Sequence, residues 1–167
     1  SALDAISSAP IPVIAAVNGP AIGAGTQVAI ACDLRVASPA ARFAVPTARN
    51  GLAVDPWTIR RLALLAGGGA ARAILLGCEQ LDDQRAFDRG LVDRLGSVQE
   101  ALAWAEDLAT AAPLTLAYSK RVLESMFEPR PWAEDLDDDF AAVWESEDVE
   151  EGVRARMEKR KPDFRGR

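Results

Sequence analysis

The sequence contains no histidine, and that absence removes a large part of the enzymatic repertoire. Ser-His-Asp and Cys-His nucleophile systems need imidazole as the proton carrier, and histidine-rich zinc sites need it as a ligand. Any chemistry must therefore run on carboxylates, backbone amides or bound water, and no metal site is expected. Cysteine is nearly as scarce: Cys32 and Cys78 stand in apolar contexts without Cys-x-x-Cys spacing, which points to buried free thiols rather than a disulfide or zinc site. Long apolar runs are missing too, because Asp33, Arg35 and Arg42 interrupt the most hydrophobic third, and no charged-then-apolar leader opens the chain. A soluble cytoplasmic protein without membrane insertion is the expectation. Positive charge is in deficit: 19 Lys and Arg against 25 Asp and Glu give a net charge of −6, the wrong sign for a general nucleic-acid binder.

What is present suits one folded core. The 167 residues are 49% hydrophobic and 26% charged, enough apolar surface to fold without disulfides or metals. The charge is segregated, with a densely acidic stretch from Glu128 to Glu151 and a densely basic one from Arg154 to Arg167.

Short branched runs lie at the front. Val13 to Val17, bounded by Pro10-Ile-Pro12 and Asn18-Gly19, reads as a buried strand. The glycine-rich turn Ala21-Ile-Gly23-Ala-Gly25-Thr26 follows, then an alanine-rich short helix over Gln27–Cys32. Asp33–Ser38 and Ala41–Val45 read as two further strands. Beyond Pro46 the apolar spacing lengthens to a helical period. Thr58–Leu65 forms a helix ended by Gly67-Gly-Gly69, Ala70–Leu76 another, and Asp82 or Asp83 caps a third. Leu91–Leu95 reads as a short strand, and Ser97-Val-Gln-Glu100 has the capping-box pattern at a helix start. Pro113 breaks that helix. Further helices are expected at 114–127, 132–144 and 149–161. Strands lead and helices follow, so the fold is mixed α/β.

Gly23-x-Gly25 after a strand could open a dinucleotide-binding unit. The third glycine of that fingerprint would fall at Val28, the helix before Asp33 is too short for a crossover, and no Gly-Lys-Ser/Thr follows. Both phosphate-binding readings are therefore set aside.

Pro12-Val-Ile-Ala-Ala-Val-Asn-Gly-Pro-Ala-Ile-Gly-Ala-Gly25, followed by Ala29-Ile-Ala-Cys-Asp-Leu-Arg-Val36, resembles the central signature of the enoyl-CoA hydratase/isomerase (crotonase) superfamily. The likeness continues through Phe43, Pro46, Gly51-Leu52, Arg61-Leu62, Gly90-Leu-Val-Asp93, Ala112-Pro113 with Lys120, and Met157-Glu-Lys-Arg160. It implies a ClpP/crotonase-like ββα spiral core, with residues 1–95 as the C-terminal part of that core and 96–167 as a helical trimerisation region. The family's N-terminal half, with one of two oxyanion-hole amides, is not in this sequence, so an incomplete chain is expected.

The resemblance also implies roles. The family polarises a thioester carbonyl between two backbone amides, and the helix-start amide maps to Ala24, flanked by Gly23 and Gly25, which permit close backbone approach; the bland alternative is a tight turn only. Hydration uses two carboxylates around one water, at positions that here are Gln27 and Thr47, neither able to titrate near neutrality. Asp55 falls where the family's dienoyl-CoA isomerases place a catalytic aspartate, and it could shuttle a proton if burial raised its pKa. Alternatively it caps the helix that opens at Pro56-Trp57. Lys159 matches a lysine that contacts the phosphates of CoA bound by a neighbouring subunit, with Arg156 and Arg160 on the same helical face; a cationic helix end is the plainer reading. Trp57 lines an acyl tunnel or packs in the core.

The implied function is binding of a fatty acyl-CoA without ordinary hydration, with no cofactor, in a homotrimer or dimer of trimers. The motif combination Gly-Pro-Ala-Ile-Gly-Ala-Gly, Phe-Ala-Val-Pro-Thr and Gly-Leu-Ala-Val-Asp-Pro-Trp most resembles a mycobacterial subgroup implicated in carrying acyl-CoA for mycolic acid synthesis. An active hydratase or isomerase working through Asp55 is the alternative, and a purely structural partner subunit the third reading.

Overall fold

The computed structural model describes residues 2–50, 52–127, 142 and 144–167, with the side chain of Arg156 outside the description. It divides into two compact units, one made of Ser1–Ser7 with Val13–Ala103 and the other of Ser8–Pro12 with Trp104–Arg167. The division falls inside the helix Val98–Leu108, and a short N-terminal segment joins the helical unit.

In the first unit two successive ββα turns are laid out along the chain. Helix α1 (Ala2–Ser7) precedes β1 (Ile14–Val17), β2 (Pro20–Ile22) and α2 (Ala24–Ala31); then come β3 (Leu34–Ala37), β4 (Arg42–Ala44), a 3-10 turn (Thr47–Asn50) and α3 (Pro56–Leu75). Each turn gives its first strand to one sheet and its second to the other. One sheet runs β1-β3-β6, all parallel, where β6 is Arg94–Leu95. The other runs β2-β4-β5, where β5 is Leu81–Asp82, with β2 parallel and β5 antiparallel to β4. Helix α4 (Asp83–Asp88) and the start of α5 (Val98–Leu108) complete the order. The expected ββα spiral is what forms.

Local sequence explains most boundaries. The carboxylate of Asp82 accepts from the amide of Arg85 at 2.8 Å and caps α4. Ser97 and Glu100 close the reciprocal capping box, the Glu100 carboxylate accepting from Ser97 N at 2.6 Å and Ser97 Oγ from Glu100 N at 3.4 Å. The stop expected at the glycine run forms at Gly67, whose φ 80 and ψ 153 leave helical space, so α3 is two helical segments joined across a kink. Strands β2 and β5 were not anticipated, being three and two residues long and flanked by Pro20, Gly23 and a helix cap.

The core of this unit gathers Ile30, Phe43, Val45, Leu62, Ile74, Leu81 and Leu91 with many alanines. Small residues let α2 lie close on β2 and β4. Burying the large members at about 1.5–3 kcal/mol each is the main favourable term. Trp57 packs against this core and stacks on Arg61, whose guanidinium carbon lies 5.2 Å from the ring centroid.

The second unit is helical, with α6 (Pro113–Phe127) beginning on a proline at the one position where its missing N–H costs nothing, and α7 (Glu147–Glu158). Lys120 is buried and donates from Nζ to Ile11 O at 3.0 Å. The chain beyond α7 folds back on that helix. Asp148 accepts from the amides of Arg165 and Gly166 at 2.7 and 2.9 Å, and Glu151 from that of Asp163 at 2.9 Å. The helix expected over 132–144 lies almost wholly outside the described residues, as does most of the acidic stretch. Among the described residues no helix is long and apolar enough to cross a membrane, and no group of three potential ligands could hold a metal ion.

Candidate functional site

A cavity of about 390 Å³ lies in the first unit, lined among others by Gly23, Ala24, Gln27, Thr47, Asn50, Leu52, Val54 and Asp55. Of the positions singled out in the sequence, Gly23, Ala24, Gln27, Thr47 and Asp55 meet there. Gly25 is not in the wall, and Lys159 belongs to the other unit.

Helix α2 supplies one wall. Gly23 precedes it at φ 58 and ψ −113, the left-handed side of backbone space that glycine enters without penalty. Its amide donates to Ala44 O at 2.7 Å, continuing the β2–β4 ladder, and its carbonyl accepts from Gln27 N at 3.1 Å as the first helical bond. The chain must therefore turn sharply at Gly23. Gly25 differs: a Cβ there would meet only the Cβ of Ala21, at 3.6 Å, an ordinary contact. A Cβ at Gly23 would meet nothing within 4 Å, so what that position requires is its backbone conformation rather than room. Ala24, exposed and first in the helix, has an amide with no carbonyl to receive it within α2, since first-turn donors lack intrahelical partners. That N–H and the dipole behind it favour an electron-rich oxygen.

The helix is fixed from within by Thr26, which is fully buried. Its hydroxyl donates to Ala21 O at 2.6 Å and accepts from Ala44 N at 3.2 Å, tying the first turn to β2 and β4. At the far end two buried arginines take the helix carbonyls. Arg35 donates to Cys32 O at 2.8 Å and Ala29 O at 3.4 Å, and also to Leu91 O, Asp33 O and the Asp93 carboxylate, the last at 3.2 Å. Arg61 donates to Ile30 O and, at 3.4 Å, to Ala31 O. Burial pushes the Arg35 guanidinium down, partly offset by Asp93, yet an arginine stays charged. Neither arginine was recognised as part of the site from sequence. The signal was a cation inside an apolar strand and another in a helix face, where an unpaired charge would be prohibitive.

Gln27, Asp55 and Thr58 form a hydrogen-bonded trio. Gln27 Nε2 donates to Asp55 Oδ2 at 3.2 Å and to Thr58 Oγ1 at 2.8 Å. The Thr58 hydroxyl donates to Asp55 Oδ2 at 2.8 Å, and its amide donates to Asp55 Oδ1 at 3.0 Å. Asp55 is thus the N-cap of α3. Partial burial would raise its carboxyl, but the hydrogen bonds from the Thr58 side chain and backbone outweigh it and hold Asp55 below the ordinary carboxylate range. A carboxyl raised towards neutrality, which a proton shuttle there would need, is not what the geometry produces. Thr47 opens the 3-10 turn, half-buried, with its carbonyl accepting from Leu52 N at 3.0 Å.

In the second unit α7 ends at Glu158 rather than Lys161. Lys159 follows with φ 54, exposed, and Arg160 N donates to Ala155 O at 3.0 Å, the six-to-one bond of a Schellman turn. Arg160 is therefore past the helix and off the face expected for it. It is also engaged: it pairs with Glu151 at 2.5 and 2.9 Å and with Glu158 at 2.5 Å. The hydrogen bond from Arg160 holds the Glu151 carboxyl down at about 2. The side chain of Arg156 lies outside the described residues.

Comparison with known proteins gives one consistent answer. A family described as enoyl-CoA hydratase/isomerase matches residues 1–167. The chain is 47% identical over 165 residues to "Probable enoyl-CoA hydratase echA6" of Mycobacterium tuberculosis, covering 97% of this chain and 67% of that protein. It is 35% identical over 162 residues to 2,3-dehydroadipyl-CoA hydratase of Escherichia coli, covering 93% and 64%. Among solved structures, an enoyl-CoA hydratase/carnithine racemase of Magnetospirillum magneticum superposes with a TM-score of 0.89 at 31% identity, over 99% of this chain and 64% of that one. An enoyl-CoA hydratase of Mycobacterium tuberculosis H37Rv does so with 0.84 at 30%, over 95% and 65%. The chain spans about two thirds of the length of these relatives.

Proposed function

The chain belongs to the enoyl-CoA hydratase/isomerase family, and from that premise we propose that it binds a fatty acyl-CoA thioester in lipid metabolism without carrying out ordinary enoyl-CoA hydration. The thioester oxygen would lie against the Ala24 amide at the start of α2, and Lys159 would meet CoA phosphates of a neighbouring subunit in a trimer or dimer of trimers. No cofactor or metal takes part, and the setting is cytoplasmic.

One observation carries this reading. The positions that should supply the acid and the base, Gln27 and Thr47, both line the cavity and neither titrates. Each missing acid-base group removes a factor of about 10² to 10⁴ in rate, so the loss of both leaves a pocket that polarises a carbonyl but cannot move protons between water and carbon.

A second reading, double-bond isomerisation through Asp55, draws on the presence of that carboxylate in the same wall. Its low proton affinity and its engagement with Thr58 weigh against it. Loss of dienoyl-CoA turnover in Asp55→Asn would establish it.

The test of the leading reading is calorimetry of long-chain acyl-CoA on the full-length protein, alongside Ala24→Pro. Proline at the first helical position removes the amide but keeps the helix, and Gly23 at φ 58, ψ −113 is near the mirror image of the extended conformation that precedes proline. Binding should be measurable and about fivefold weaker in the variant. Equal binding by both forms would remove Ala24 from the account, and no binding by either would leave the structural-subunit reading.

A further inference from the structure

We infer that Glu151 is a positioning residue for Lys159: its carboxylate fastens the chain that leaves α7, and the turn so fastened presents the Lys159 ammonium to the phosphates of CoA. This rests on the reading of Lys159 above and adds the residue that sets it.

The backbone at Lys159 is unusual. Its φ of 54 lies in the left-handed region, which among the described non-glycine residues only Cys78 shares. Glycine is the common occupant of this place after a helix, because a side chain there crowds the following carbonyl. A lysine in such a conformation points to a use for its side chain, and that use is not internal. Lys159 is exposed, and among the described residues its ammonium has neither a hydrogen bond nor an ion pair. By contrast Arg154, Arg160, Arg165 and Arg167 each pair with a carboxylate. Lys161 is exposed too, but does not share the left-handed backbone.

One carboxylate holds the chain on the far side of this turn. Glu151 stands about two turns before the end of α7. Its side chain accepts from Arg160 Nη1 at 2.5 Å, from Arg160 Nη2 at 2.9 Å and from the Asp163 amide at 2.9 Å. An exposed ion pair with loose geometry holds little. This one is forked, so it fixes direction as well as distance, and the Glu151 side chain is only 14% exposed. Arg160 Nε donates in turn to Glu158 at 2.5 Å. The residues on either side of Lys159 are thus joined to each other and to the helix body. The pairing also occupies the Glu158 carboxylate, which would otherwise compete with a phosphate for the neighbouring ammonium.

Charge and position predict opposite results when Glu151 is neutralised. Taking an acid away from an anion site strengthens attraction for the anion. Taking away the anchor lets the turn swing and weakens the contact.

The test is calorimetric titration of the full-length protein with one saturated acyl group carried by CoA and by pantetheine, which lacks the phosphates. The unsubstituted protein is compared with Glu151→Gln, Lys159→Gly and the double variant. Lys159→Gly should bind acyl-CoA about fivefold more weakly and yet unfold at higher urea, since glycine is at ease in the left-handed turn. Glu151→Gln should bind acyl-CoA about threefold more weakly. Acyl-pantetheine affinity should change in neither, and the double variant should bind as Lys159→Gly does, because the two residues act through one contact. Glu151→Asp keeps the charge and shortens the reach; it should repeat the threefold loss and serves should Glu151→Gln not fold. Unchanged or tighter acyl-CoA binding in the Glu151 variants, or an equal loss for acyl-pantetheine, overturns the role of Glu151 and leaves that of Lys159 intact. No loss of acyl-CoA affinity in Lys159→Gly overturns both roles. Failure of the unsubstituted protein to bind either thioester overturns the acyl-CoA reading as well.

Discussion

Helix α2 ends in two different ways. At its C-terminus four carbonyls, of Ala29, Ile30, Ala31 and Cys32, accept from the guanidinium groups of Arg35 and Arg61, which are each 1% exposed. At its N-terminus, seven residues earlier, the Ala24 amide is on the wall of a cavity. The closed end gives the helix a fixed address by meeting its partial negative charge with buried cations. The open end keeps its partial positive charge available. A site that works by preorganised amides needs this division, because an amide that wanders stabilises little.

Predictions that break the closed end should therefore cost stability, in proportion to what is left unpaired. The largest loss is expected from Arg35→Met, which takes the guanidinium from the carbonyls of Leu91, Cys32 and Asp33, while Asp93 keeps the backbone amide of residue 35 at 2.7 Å: about 3 kcal/mol in urea unfolding. A cost under about 1 kcal/mol would show that the clamp is incidental. Thr26→Val preserves shape but removes the buried hydroxyl that bonds the Ala21 carbonyl and the Ala44 amide, and should cost about 1.5 kcal/mol.

Asp55→Ala removes the cap of α3 and should cost about 1 kcal/mol at neutral pH. Its pH dependence has a definite sign. The folded carboxyl sits below its ordinary value near 3.9, so its contribution is fully present above that value and is lost as pH falls through the depressed one. The difference between the two proteins should narrow steadily below about pH 4. A widening gap in acid would mean that the carboxyl is raised in the fold, as the isomerase reading requires.

The same contrast explains what could be read from sequence. Features that depend on neighbours in the chain were legible: the Ser97–Glu100 capping box, the Asp82 cap, the break at Gly67 and the start at Pro113 each need only a few residues. The glycine turn was legible through family resemblance, which also singled out Gln27 and Thr47, two residues that line one cavity. What depends on partners far along the chain was not. Arg35 looked like an interruption of an apolar run, and only the fold supplies Leu91 and Asp93, 56 and 58 residues away. The tie between Gln27 and Asp55 spans 28 residues and was equally hidden. The partners of the basic tail were hidden in the same way: it folds back so that Arg160 meets Glu151 and Arg167 meets Glu147, the latter at 3.0 Å, leaving Lys159 exposed at the turn.

The central claim concerns proton transfer, and it is met most directly by turnover of a 2-enoyl-CoA by the full-length protein, measured beside a relative that retains both acids. The account predicts hydration slower by at least about 10⁴-fold, two absent acid-base groups at the lower end of their usual effect, in a protein that still binds the thioester. Hydration at a rate comparable to that relative would contradict it.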